Sequence, residues 1–161
     1  MLLIDFIITN GVMKKIIFFM DYVITVDGIE AAPQGSKRHV GRGIMVEMCK
    51  RVGPWKEAVR VEANKVVKQI IVEPVHIDLI FWFERPISHL YASREVKPSA
   101  PKYPNRRQGD IDKLCRSTLD ALTLSAIADD SQVVSLHAQK YYCNKKETVK
   151  PLTIIKIKKI N

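Results

Sequence analysis

The sequence predicts an α+β fold: one domain built on a mixed sheet of four or five strands, with helices packed against one face. Three observations carry this. A β-branched and aromatic run from Phe18 to Val26 closes on Asp27-Gly28, which reads as a strand and its turn. After Pro74 the run VHIDLIFWFE is apolar on nearly both sides, as in a central strand. Two further segments repeat apolar residues at spacings of three and four, the helical period. At 161 residues the chain matches one ordinary domain, and such a domain buries roughly 68 to 70 % of its unfolded surface. One hydrophobic core can hold it without disulfides.

The opening MLLIDFIITNGVMKKIIFF does not read as a signal peptide, because no basic region precedes the apolar part, Asp5 interrupts it and no small-residue cleavage site follows. It also falls short of an uninterrupted span of ~20 apolar residues. Residues 1–19 are read as an extension, or an upstream start, ahead of a domain covering 20–161. Ala32 to Gly43 carries Pro, Gly and the cations Lys37, Arg38 and Arg42, and reads as a mobile basic loop. Gly53-Pro54 opens a helix whose inward stripe is Trp55, Ala58, Val59, Glu62, Val66 and Ile70, with Lys56, Arg60, Asn64 and Lys68 opposite. In the following strand Val75, Ile77, Leu79, Phe81 and Phe83 share one side, and Ile80 and Trp82 the other.

Residues 85–109 hold Pro and many basic residues, Arg106 and Arg107 among them, without periodicity. Structureless stretches of that length in a compact domain are usually functional. Asp112 then caps a helix from about Lys113 to Leu124, with Leu114, Thr118, Ala121 and Leu122 as its buried stripe. Asp112, Arg116 and Asp120 lie on its polar face, and an extended Asp110 points its carboxylate the same way as Asp112. Asp129-Asp130 precedes a strand from Ser131 to Tyr142.

A composition of 47 % apolar and 27 % charged residues excludes disorder, collagen and coiled coil as whole-chain readings. Net charge is +9, of which +7 falls in residues 94–161, so polyanions are the first partners to consider. Cys49, Cys115 and Cys143 are odd in number and form no Cys-x-x-Cys pair, which points to a reduced, intracellular chain without a thiolate zinc site. The four histidines lack metal-ligand spacing. Any bound metal would have carboxylate ligands.

Each carboxylate has a structural reading: Asp112 as a cap, Asp129-Asp130 as a second cap or turn, and Asp112, Arg116 and Asp120 as a surface ion-pair ladder. Taken together they leave four carboxylates gathered in the most basic half of the chain. Like charges cluster at a cost unless a cation holds them, and Mg²⁺ prefers such oxygen ligands.

Asp110-Ile111-Asp112, then Leu114, Asp120-Ala121-Leu122, Asp129-Asp130-Ser131-Gln132-Val133 and Lys140 before an aromatic resemble the signature of the RusA family of phage and bacterial Holliday junction resolvases. ITVDGIEAAPQGSKR, Trp55 and FWFERPISHL with PSAP resemble that family's opening strand and loop, first helix and middle strand; the likeness spans residues 20 to 160. It implies a cytoplasmic, homodimeric endonuclease that cuts four-way DNA, with Mg²⁺ or Mn²⁺ and no small-molecule cofactor. Asp110, Asp112 and Asp130 would bind the metal. The family pattern Asp-x-Asp-Asn-Leu-x-Lys has Lys113 in its Asn place and Arg116 in its Lys place here. The catalytic cation is therefore Arg116 or Lys113. Lys37, Arg38, Arg42, Arg106, Arg107 and Lys140 are the expected DNA contacts. The alternatives are a non-catalytic basic DNA-binding protein, and a metal-dependent nuclease acting on flaps or RNA.

Overall fold

The computed structural model describes residues 2–9, 12–19, 21–35, 37–39, 45–47, 49–143 and 150–160, with side chains described within 21–35, 49–143 and 150–160. Strands β1 (Leu2–Thr9) and β2 (Val12–Phe19) pair antiparallel as a separate two-stranded ladder. β3 (Tyr22–Asp27) opens the main sheet. The run from Phe18 to Val26 is thus two strands, divided at residues 20–21. Asp21 marks the break: its carboxylate accepts the Lys159 backbone N–H at 2.6 Å and fixes where β3 enters the sheet.

Further along come β4 (Lys37–His39), β5 (Met45–Glu47), α1 (Val52–Val66), β6 (Val75–Phe83), α2 (Ile111–Leu122), β7 (Val133–Tyr142) and β8 (Leu152–Lys159). The main sheet is mixed and runs β3-β8-β6-β7. β8 pairs antiparallel with both β3 and β6, and β6 pairs parallel with β7. Register aligns Ile24, Ile155 and Leu79 in one row and Val26, Thr153 and Phe81 in another. These rows are buried with Trp55, Val59, Leu114, Ala121 and Leu122 from the two helices in a single core. At roughly 1.5 to 3 kcal/mol per fully buried large apolar side chain, this layer is the main source of stability. β6 is interior, as its two-sided apolar pattern required.

Three expectations need correction. The Ala32 to Gly43 segment is not a structureless loop, since β4 and β5 pair as a hairpin with Lys37 opposite Glu47; residues 40–44 lie outside those described. The inward stripe of α1 is Val52, Trp55, Val59 and Ala63, while Val66 and Ile70 are exposed. The helix ends when Val67 turns extended, at φ −95° and ψ 107°, so Ile70 never belongs to it and Ile71 is buried instead. The stretch 85–109 is ordered by its own backbone bonds, Tyr91 N–H to Glu95 C=O and Lys97 N–H to His89 C=O, both 2.9 Å.

Candidate active site

The start of α2 carries the acidic motif. Asp110, not Asp112, is its N-cap residue, extended at φ −73° and ψ 145°, and its side chain makes no capping bond. Asp112 is the second helical residue. The expected stripe of Leu114, Thr118, Ala121 and Leu122 is buried, together with Cys115 and Ser117. The helix stops at Leu122 rather than Leu124, because Thr123 turns extended and Leu124 takes φ 62°. Asp110 is exposed, and its carboxylate makes no hydrogen bond or ion pair among the described residues. Asp112 is exposed too, and a 2.6 Å bond from Lys113 Nζ holds its carboxyl below the usual range. The positive end of the helix dipole offsets part of the repulsion between two neighbouring carboxylates. Asp112 also bears on Cys115, whose thiol is pushed up to about 11, first by burial and then by that negative charge.

Four contacts fix this position. Lys140 Nζ donates to the Gly109 carbonyl at 2.8 Å, so β7 grips the residue before Asp110. Gln34 N–H donates to the Lys113 carbonyl at 3.0 Å, and Ser117 Oγ donates to the Ala32 carbonyl at 2.6 Å. The segment that leads into the basic hairpin is thereby laid along the first turns of α2. Gly109 closes the arrangement: its φ is +102°, and a Cβ there would sit 2.7 Å from Pro33 Cβ and Cγ. Both the backbone conformation and the contact demand glycine. Gly109→Ala is expected to cost about 1 to 3 kcal/mol in urea unfolding and to displace Asp110. An unchanged unfolding midpoint would remove this constraint.

The ion-pair ladder on α2 does not form. Asp120 pairs instead with Lys56 of α1 at 2.8 Å. Burial alone would raise its pKa, but the hydrogen bonds from Lys56 and Gln34 outweigh that and lower it. Arg116, one turn from Asp112, is exposed, and its guanidinium makes no hydrogen bond or ion pair among the described residues. Its cation is available to a ligand.

The second acidic pair divides its labour. Asp129 accepts the Ser131 N–H at 2.9 Å, while its own N–H donates to Gln132 Oε1 at 2.8 Å, a complete capping box on the short turn Asp130–Gln132. Gln132 Nε2 ties that turn to the Ile71 and Glu73 carbonyls, at the entrance of β6. Asp130 is exposed, and its carboxylate has no hydrogen bond or ion pair among the described residues. It is not beside Asp110 and Asp112. Those two sit at the N-terminus of α2, near Lys140, whereas Asp130 follows the other end of the helix, where β7 begins. The whole length of α2 and the turn after it lie between them in the chain. Consistently, no three residues of His, Cys, Asp or Glu among those described are grouped to hold a metal ion.

Of the expected DNA contacts, Arg106 and Arg107 are exposed just before Asp110. Lys37 and Arg38 lie on β4, with side chains outside the description, and Arg42 lies outside it altogether. Lys140 is engaged by carbonyls and serves the loop. The residues that the sequence did not bring forward are Gly109, Gln34 and, as the partner of Asp120, Lys56. Only Gly109 carried a signal, as a glycine directly before the Asp-x-Asp motif.

The family model described as Endodeoxyribonuclease RusA matches residues 29–158. The chain belongs to the RusA family. Membership carries that family's class of chemistry, hydrolysis of DNA phosphodiester bonds by an endonuclease of the junction-resolving kind. The RusA match takes in the basic hairpin, both helices, β6, β7 and nearly all of β8; it begins at residue 29 rather than 20, leaving out β3 as well as the β1-β2 ladder. Among curated proteins, none matches the chain. No described helix is long and apolar enough to cross a membrane.

Proposed function

We propose that this RusA-family protein is a divalent-metal-dependent crossover junction endodeoxyribonuclease that works as a homodimer on four-way DNA, in the cytoplasm, during recombination and repair. The observation that carries the reading is the pair of free carboxylates, Asp110 and Asp130, within the matched segment of a +9 chain. Exposed carboxylates without partners are a donor set of the kind Mg²⁺ or Mn²⁺ takes, and Mg²⁺ keeps several waters beside one or two of them. Asp110 and Asp112 would hold the cation, and Asp130 would complete the set. When bound, such a cation polarises the phosphoryl oxygens, lowers the pKa of a water and stabilises the leaving 3′ oxygen.

The absence of any grouping of three such ligands among the described residues supports the dimer, because Asp110, Asp112 and Asp130 of one chain would not by themselves make a set. A two-fold pairing that brings Asp130 of one copy to Asp110 and Asp112 of the other completes two sites, and two symmetric sites suit a two-fold junction. Arg116 supplies positive charge to the scissile phosphate. A guanidinium carries a fixed charge that stabilises a transition state and transfers no proton.

The test is cleavage of four-way, duplex, flap and RNA substrates with and without Mg²⁺. Paired cuts in the junction alone, only with metal, are expected. Binding without cutting would leave a DNA-binding protein, and preference for flaps or RNA would leave a different nuclease. The basic segments make a separate prediction: neutralising Lys37, Arg38, Arg42, Arg106 or Arg107 weakens binding across sequences and lowers the slope of log affinity against log salt by about one unit each. Unchanged slopes for all five would make these cations bystanders.

A further inference from the structure

The face of the sheet turned away from the helices ends in a row of aromatic rings that the cutting chemistry does not use. Trp82 of β6 and Tyr141 of β7 are in register, with ring centroids 5.9 Å apart. Tyr103, from the long loop after β6, lies on Tyr141 at 6.2 Å. Trp82 and Tyr141 are half-buried, but Tyr103 is 51 % exposed. The ladder therefore climbs from the sheet into solvent. Lys102 Nζ stands 5.2 Å from the Tyr103 ring centroid, and Arg106 and Arg107 follow a few residues on.

The same loop reaches the acidic motif. Lys140 precedes Tyr141 on β7, so the two side chains point to opposite faces of that edge strand. Lys140 Nζ reaches the carbonyls of Asn105, at 3.5 Å, and Gly109, at 2.8 Å. The loop thus wraps the strand edge, with Tyr103 on one face and Asp110 emerging at the other. Two extended residues span at most about 7 Å, so Tyr103 lies that close to Asn105.

We infer that Tyr103, backed by Tyr141 and Trp82, is a stacking platform for an unpaired base of the strand held at the acidic motif. The inference rests on the endonuclease reading for its substrate, since a branch point is where duplex DNA can release a base. Every base has a π-face, so the platform recognises unpaired strand rather than sequence. The Lys102 ammonium over an exposed ring is a weaker partner than a stacked base, and on binding it passes to the adjoining phosphate. A tyrosine kept only to anchor the loop would be satisfied by any apolar side chain of similar bulk.

That difference sets the test. The full-length protein is titrated with single-stranded oligothymidylate, following quenching of its aromatic fluorescence and, separately, anisotropy of a labelled strand. Tyr103→Phe should bind as the wild type does, and Tyr103→Leu about tenfold more weakly, with equal affinity for linear duplex in all three and an unchanged urea midpoint. Equal affinity of the wild type and Tyr103→Leu for the single strand overturns the platform, as does an equal loss on duplex. Mg²⁺-dependent cutting of a junction is scored apart. Cutting with no Tyr103 dependence of strand binding keeps the endonuclease and removes the platform. Tyr103-dependent binding in a protein that cuts nothing keeps the platform and removes the endonuclease.

Discussion

Asp110→Asn, Asp112→Asn and Asp130→Asn are each expected to abolish Mg²⁺-dependent cutting while junction binding persists or tightens, since each removes negative charge near the phosphates. Neither Asp110 nor Asp130 has a partner whose loss would disturb the fold. Asp112 loses only its exposed bond to Lys113. The free energy of unfolding in urea should therefore change by less than about 0.5 kcal/mol. Asp129→Asn is the contrast, because Asp129 is occupied by its capping box and should keep most of its activity. Mixing two inactive variants tests the proposed shared site. When Asp110→Asn and Asp130→Asn are co-folded, the mixed dimer holds one intact ligand set and one doubly damaged set. It should nick one strand. If each chain builds its own site, the mixture stays inert. Retained cutting in a single variant would remove that residue from the metal site.

Arg116→Ala should lower the single-turnover rate about 10²-fold or more, the scale of losing one preorganised electrostatic donor, with folding and junction affinity nearly intact. The competing role, bracing Asp120, is taken by Lys56 at 2.8 Å, so little stability is at stake. Arg116→Lys should recover much of the rate, because charge in that place matters more than the shape of the guanidinium. Lys113→Ala is the necessary companion. Its ammonium is engaged with Asp112, so its loss should act through that carboxylate rather than directly on the phosphate. A normal rate in Arg116→Ala would move the role to Lys113, or show that neither cation is needed.

The local features of this fold were legible wherever sequence neighbours decide them. The buried stripe of α2 follows from its period, and β6 announced itself as interior by being apolar on two sides. β8 did not, because its apolar residues are interrupted by Lys156, Lys158 and Lys159, and a charged side chain argues against an inner strand. Register places Lys156 across from Asp78 on the face away from the helices, a pairing between distant segments that no local pattern encodes. The acidic motif shows the same limit. Asp112, Arg116 and Asp120 have correct spacing for a ladder, yet a lysine from another helix takes Asp120. The capping rule failed at Asp110, whose carboxylate declines a bond that its position offers. The candidate carboxylates could be named from sequence, but their distribution over two ends of α2 follows from chain direction in the folded sheet.

If the site is shared as proposed, the length of α2 bears on how the activity would be switched on. In the proposed shared-site dimer, the twelve-residue α2 holds Asp110 and Asp112 at one end while Asp130 follows the other, so a solitary subunit would be inert and cutting would begin only when two copies meet. Well below the concentration that sustains pairing, such an active species would grow as the square of the total protein, so halving the amount of enzyme would remove three quarters of its activity. A freshly synthesised chain diffusing along intact DNA would be harmless to it. A nuclease built this way carries its own threshold, set by copy number rather than by an inhibitor.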